Sequence, residues 1–217
     1  MTSATRGYQS EVRQAAAART REQVVRAALE CFQSKGYTGT TMRAIAEGAG
    51  VSVETVNALG PKAALLGAAL VRAFSGDNHD VPLLDLPEPA VLMAHPDAAE
   101  AARGVVRWIA GKNGDVARVW RAYEQASEND PVVAVEFNAL IGRQRAEVRR
   151  FVDILASRRP LPAGTDRDEL IDFLWLLTIP DQWIRLTQNA GWSQERYAAW
   201  LEASAVLALW GRSDRPD

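Results

Sequence analysis

The residues whose types and spacing suit a defined chemistry lie between Thr20 and Leu66. Thr40, Thr41 and Arg43 cluster at the expected start of one helix. There, hydroxyls, a guanidinium and the positive end of the helix dipole suit phosphate. Ser52 is placed to hold the N-terminus of a second, very short helix, which then exposes Val53, Glu54 and Asn57. Ala46, Gly50 and Val51 are small where the two helices meet, so their backbones can approach closely. A helix presented N-terminus first can enter a major groove while its predecessor lies across the backbone. Asn57 can bond a phosphate or read adenine with both amide groups. Glu54 fits less well: a carboxylate facing phosphates is unfavourable unless it accepts from a cytosine amine or pairs with Arg43. Arg19 and Arg21, beside the first helix, are further phosphate candidates.

Other chemistries are poorly supplied. A lone Cys31 excludes an intramolecular disulfide and a Cys-cluster zinc site, and two histidines, His79 and His95, furnish little for a metal. There is no Ser–His–Asp or His–Cys spacing, no Gly-rich phosphate loop and no paired Asp at helical spacing. No enzyme activity, cofactor or metal is therefore expected. Asp77-Asn78-His79-Asp80 could hold a cation, but it reads better as the end of a helix and the start of a linker.

The elements that position these residues are helical throughout. Residues 1–15 show no hydrophobic period, and 1–19 read as a flexible arm. Thr20-x-x-Gln23 reads as a capping box opening a first helix with apolar Val25, Ala28, Leu29 and Phe32, which Gly36 stops. A second helix starts at Thr40/Thr41 and ends at Gly48 and Gly50. Ser52 caps a third through Asn57 or Ala58, and Gly60-Pro61 leads into a fourth at 62–75. The Pro-rich stretch 76–97 reads as a linker with one short helical turn. Beyond it, helices are expected at 97–111, 115–128, 131–157, 166–188 (capped by Thr165 and kinked by Pro180) and 193–211. No strand-like alternation occurs, so the chain is all-α with about nine helices.

Composition agrees with this division. The 217 residues are 47% hydrophobic and 24% charged, ordinary for a globular protein. Residues 1–62 hold eight Lys/Arg against five Asp/Glu, whereas 63–217 hold seventeen against twenty-two. The basic first part suits a nucleic acid, and all seven Trp fall in the second part, from Trp108 onward. No apolar stretch approaches the roughly 20 residues of a membrane span, and no signal segment opens the chain. A cytoplasmic protein without a membrane partner is expected.

At Phe32, Gly36, Tyr37, Thr40, Thr41, Ile45, Ala46, Ala49, Gly50, Val51, Ser52, Thr55 and Lys62, at fixed spacing, the sequence resembles the N-terminal domain of TetR-family transcriptional regulators. It departs from the family where a recognition-helix aromatic is replaced by Asn57, and where the stretch before Lys62 is one residue shorter. The resemblance implies a helix-turn-helix DNA-binding domain over 20–66 that contacts double-stranded operator DNA. The DNA-binding set is then Arg21, Thr40, Thr41, Arg43, Ser52, Val53, Glu54, Thr55, Asn57 and Lys62. It also implies a ligand-binding and dimerisation domain over 67–217.

In that second part, Trp108, Trp120, Tyr123, Phe137, Trp175 and Trp183 on successive helices can enclose an apolar or aromatic cavity, with Glu124 and Asp181 as orienting groups. In TetR-like proteins such a cavity binds a small-molecule inducer. Leu170, Phe173, Leu174, Leu177, Tyr197, Trp200, Leu201 and Leu207 form more apolar stripe than one buried face needs. In the family this surface makes a homodimer. The implied function is a ligand-responsive regulator, acting as a repressor on a palindromic operator. The alternative is a helical small-molecule-binding protein with weakened or lost DNA binding.

Overall fold

The computed structural model describes residues 3–76 and 81–211, with side chains from residue 13 onward, so the 77–80 cluster lies outside the described residues. These residues form ten α-helices and no strand. None of the helices is long and apolar enough to cross a membrane.

Helix α1 spans Ser3–Gly39 and is interrupted at Gly36, whose φ of 67° breaks the helical run. The capping box expected at Thr20 is not formed: α1 already runs through this point. The Thr20 hydroxyl donates instead to the Ala16 carbonyl one turn back, as threonines inside helices do. Helix α2 (Met42–Ala49), α3 (Val53–Ala58) and α4 (Lys62–Ser75) follow in the expected places. The stretch after α4 is not a plain linker. A 3₁₀ turn at Leu83–Asp85 and helix α5 (Pro87–Met93) bury Leu84, Leu86, Pro89 and Met93.

The two helices expected at 97–111 and 115–128 are one, α6, spanning Ala98–Asn129. At 1.5 Å per residue it is roughly 48 Å long. The helix runs on through Gly111 and Gly114, and Gly114 serves a close approach. A Cβ there would stand 3.3 Å from Cζ2 of Trp183. Helix α7 (Pro131–Arg158) returns alongside α6, its N-terminus held by the Asp130 carboxylate.

The long helix expected at 166–188 is broken. Helix α8 spans Arg167–Thr178 and is capped by Asp166, not Thr165, whose hydroxyl donates to the Pro162 carbonyl. Ile179 is extended (φ −66°, ψ 149°) and Pro180 opens the short helix α9 (Pro180–Trp183), followed by a π-helical turn at Ile184–Asn189. A residue before proline is disfavoured in the helical region, so the chain restarts its helix and does not bend through. Helix α10 (Gln194–Trp210) closes the fold, capped by Ser193.

Two apolar cores result, and α6 threads both. One gathers α1–α4 with Val116–Ala126 of α6 and Val133 of α7. The other gathers α5, the first half of α6, the second half of α7, α8 and α10.

Candidate functional site

The helix-turn-helix is built by local hydrogen bonds. Thr41 accepts from the Ala44 amide at 3.1 Å and starts α2. Gly50 ends α2 with φ 66°, a left-handed conformation that favours glycine, and sets up the turn. Ser52 accepts from the Thr55 amide at 3.2 Å and starts α3. The buried faces of the pair carry Ile45, Ala46 and Val56, leaving Arg43, Ser52, Glu54, Asn57 and Ala58 exposed on the outer side. Val53 and Thr55 are half-buried.

Two of the residues assigned to DNA, Thr40 and Lys62, have their polar groups engaged within the chain, and Arg21 and Glu54 are exposed. Thr40 is 1% exposed, and its hydroxyl donates to the Gly36 carbonyl at 2.7 Å; its side chain supports the turn and does not face outward. The Lys62 ammonium donates to the carbonyls of Tyr37 (2.9 Å) and Thr40 (3.1 Å) and lies 4.0 Å from the centre of the Tyr37 ring. It thereby clamps the end of α1 to the start of α4. Loss of solvent holds its pKa below the usual lysine range, opposed by the nearby Asp130 carboxylate. Arg21 borders a cleft between α1, α4, α6 and α7, together with Glu22, Tyr123, Glu136 and Arg143. Glu54 does not pair with Arg43. Its carboxylate turns back to its own amide and the Ser52 hydroxyl, which lowers its pKa, while Arg43 pairs with Glu47 at 2.9 Å.

The second half of the molecule carries a cavity of about 210 Å³ that opens in part to solvent. Helix α4 supplies Leu70 and Phe74, α6 supplies Val105, Ile109 and Asn113, and α7 supplies Val148 and Phe151. The α8–α9 junction completes the wall with Trp175, Thr178 and Pro180. Of the eight side chains expected to line an inducer cavity, only Trp175 borders this one. Its indole N–H points to Gln144 Oε1 at 3.5 Å.

The other seven are held elsewhere. Trp120 and Tyr123 pack on Phe137, ring centres 5.2 and 5.1 Å apart, in the core shared with α1–α4. Trp108 packs edge-on against Phe74 at 5.4 Å, one side chain behind the cavity, and donates to Glu88 at 2.5 Å. Trp183 lies on Gly114 and donates to Gln194 Oε1 at 2.6 Å. Asp181 is occupied by Arg185 at 2.5 Å. Glu124, half-buried, has its pKa raised by desolvation and then by Asp181.

The residue that sequence reasoning missed is Asn113. It is fully buried, and its Nδ2 donates to the Thr178 carbonyl (2.9 Å) and to the Tyr197 hydroxyl (2.8 Å). The break before Pro180 leaves that carbonyl without a helical donor. Burial pushes the Tyr197 pKa up to about 12, so the phenol stays neutral.

The apolar stripe assigned to a partner also divides. Leu170, Leu174, Leu177, Tyr197 and Leu201 are buried in this chain's own core and have almost no surface to offer. Trp200 is half-buried against Trp192 and Tyr197. Phe173 (48% exposed), Leu176 (48%) and Leu207 (52%) remain on the outside of α8 and α10.

Residues 24–58 match the family model for bacterial regulatory proteins of the tetR family. The chain has a TetR-like fold. A structure described as a TetR-family transcriptional regulator from Mesorhizobium loti matches with a TM-score of 0.68 at 22% identity, over 90% of this chain and 98% of the other. The TetR-family regulator PfmR from Thermus thermophilus matches at 0.58 and 17% identity, over 88% and 99%. MexZ, a repressor responsible for antibiotic resistance in Pseudomonas aeruginosa, matches at 0.52 and 24% identity, over 87% and 94%. No curated protein matches. In this TetR-like frame α2 and α3 are the helix-turn-helix, and the cavity sits between α4 and the last helices.

Proposed function

We propose that the chain is a DNA-binding transcriptional regulator, a repressor acting as a homodimer on a pseudo-palindromic operator, whose DNA affinity changes when a small molecule enters the cavity. The observation that carries this reading is the doubly capped α2–α3 pair with its outer face open. Helix α3 enters the major groove by its N-terminus, with Asn57 toward base edges or phosphate. Thr41, Ser52 and Arg43 meet phosphates. The exposed Arg43–Glu47 pair contributes little to stability, so Arg43 is free to exchange partners. Val53, Thr55 and Glu54 shape the approach, and Arg21 neutralises charge from the flank.

The dimer forms through the exposed stripe of α8 and α10, paired across a two-fold axis as a four-helix bundle. Helix α4 is the physical link, since it lines the cavity with Phe74 and carries Lys62 at its other end. A ligand shifts DNA affinity only by its differential affinity for the two states.

Fluorescence anisotropy with DNA from upstream of the gene, across a salt series, tests the reading. With about six phosphates neutralised per dimer, the log–log slope should be about −5 or steeper. A sequence-specific complex with a slope near zero rejects it. A helical ligand-binding protein with weakened DNA binding is the second reading. It is favoured by one observation: α3 carries no Lys or Arg, and Lys62 is committed to backbone carbonyls. Absence of specific binding even at low salt would decide for it.

A further inference from the structure

The cavity has a buried side and an open side. Leu70, Val105, Phe151 and Leu174 are buried on its wall, and among the described residues Arg143 of α7 is the one exposed side chain that borders it. Arg143 therefore marks where the cavity meets water. The polar groups set deeper are used within the chain. Asn113 is fully buried and bonded to Thr178 and Tyr197, and the Thr178 hydroxyl donates to the Leu174 carbonyl at 2.8 Å. What a molecule meets on that side is hydrocarbon.

The outer side holds unused donors. Arg143 has no ion-pair or hydrogen-bond partner among the described residues. The Trp175 indole can only donate, at 3.5 Å to Gln144 Oε1, so the Gln144 Nε2 amine is left to donate. Glu147, the carboxylate on the same wall, is engaged by the Leu84 amide at 3.3 Å and lies 4.0 Å from Arg150. Ser75 of α4 adds a hydroxyl, which suits a donor or an acceptor. Two free donors, one of them a cation, against one engaged carboxylate favour a ligand head that accepts.

We propose that the cavity takes a medium-chain carboxylate, with its hydrocarbon tail inside and its head at Arg143. This rests on the cavity being the effector site of the regulator described above. Size limits the tail: a cavity of about 150 Å³ holds the six carbons of benzene, so about 210 Å³ holds a chain of about six to eight carbons. A carboxylate drawn fully into the apolar part would lose its hydration without compensation. At the exposed guanidinium it keeps water, and the planar fork of arginine matches its two oxygens. Arg143 also borders the neighbouring cleft, which Arg21 of α1 and Glu136 of α7 share. The head thus sits between the cavity and the DNA-binding half, while the tail touches α4, α6, α7 and α8.

Calorimetry on the free full-length protein at neutral pH should compare octanoate with octanamide, octylamine and butanoate. Octanamide keeps the shape of the carboxylate without its charge and is easier to bring out of water, so burial alone favours it. Octanoate should bind one per protomer and about fivefold tighter than octanamide, the upper end for an exposed ion pair. Octylamine, which meets Arg143 with like charge, should be weaker than both. Butanoate lacks four methylenes and should be at least about tenfold weaker than octanoate. In Arg143→Gln the advantage of octanoate over octanamide should vanish, with octanamide binding as it does to the wild type. Arg143 is exposed and unpaired, so the replacement leaves the fold intact, and the wild-type series is a second test that needs no variant. The proposal is overturned by octanamide or octylamine binding as tightly as octanoate, by an octanoate advantage that survives Arg143→Gln, by butanoate within tenfold of octanoate, or by no saturable binding of octanoate.

No DNA is in the cell, so the two readings fail separately. Salt-dependent operator binding without the octanoate preference sinks only the ligand inference. The octanoate preference without operator binding sinks only the regulator.

Discussion

The α2–α3 turn and the buried end of the α8–α9 junction satisfy their polar groups over different distances. In the helix-turn-helix the partners are neighbours: Thr41 caps Ala44, Ser52 caps Thr55, and Thr40 bonds Gly36. In the cavity half, Asn113 reaches Thr178 and Tyr197, 65 and 84 residues away in sequence, and Gln194 reaches the Ala110 carbonyl 84 residues away. A unit wired locally keeps its shape when its surroundings move, which suits a rigid DNA reader. A region joined by a few long-range bonds around a cavity has more than one way to settle. That is what a ligand needs if it is to bias a two-state element.

Replacements on α10 give the strongest test of this contrast. Leu201 is 0% exposed within the long-range core, so Leu201→Asp buries an uncompensated charge. It should lower stability by more than about 4 kcal/mol, and circular dichroism should show loss of the cooperative transition. Leu207→Asp, on the exposed stripe, should keep helicity and melting temperature of the protomer while sedimentation shifts from dimer to monomer. A well-folded Leu201→Asp protein would mean that the second core is not cooperative as described.

Lys62 is where the local pattern is itself tied to its neighbour. Removing its ammonium leaves the carbonyls of Tyr37 and Thr40 without their donor. Lys62→Ala should cost about 1–2 kcal/mol in urea unfolding of the DNA-free protein. A residue that served phosphate alone would leave DNA-free stability unchanged. Asn57→Ala provides the opposite signature: exposed and uninvolved in the fold, it should leave unfolding untouched. It should cost about 1–3 kcal/mol of discrimination at one base pair.

The same difference in range explains what the sequence disclosed. Thr41, Gly36, Gly50 and Ser52 act within four residues, so their roles could be read from spacing, and α2 and α3 fall where expected. The joining of two expected helices into α6 could not be read. Gly114 resembles a helix break until Trp183, 69 positions on, is seen to occupy its missing side chain. Apolar periodicity located α8 and α10 but could not say which apolar residues face this chain's own core. That is why Leu201 and Tyr197 stood with Leu207. Asn113 carried no signal in sequence, because it follows Lys112 and precedes Gly114-Asp115 in a helix with many polar residues and so reads as a surface position. Thr165 and Asp166 are adjacent plausible caps, and only the hydrogen bonds choose between them.

The smallest effect concerns Glu124, between the two regions on α6. Loss of solvent raises its pKa first, then the carboxylates of Asp181 and Glu128, while Arg121 and Arg185 pull it down. A carboxyl whose folded pKa exceeds its unfolded value holds its proton more tightly in the fold. The resulting stabilisation is complete below the ordinary glutamate pKa and is lost as pH rises through the folded value. Glu124→Gln, neutral at every pH, should flatten that part of the stability profile and make the protein slightly more stable at pH 7. Urea unfolding at pH 4.5, 5.5 and 7 measures both effects. A stability difference between wild type and Glu124→Gln that grows in the wild type's favour as pH rises would instead assign Glu124 to a stabilising ion pair with Arg121 or Arg185. The α6–α9 contact would then be held by charge as well as by the Trp183 ring on Gly114.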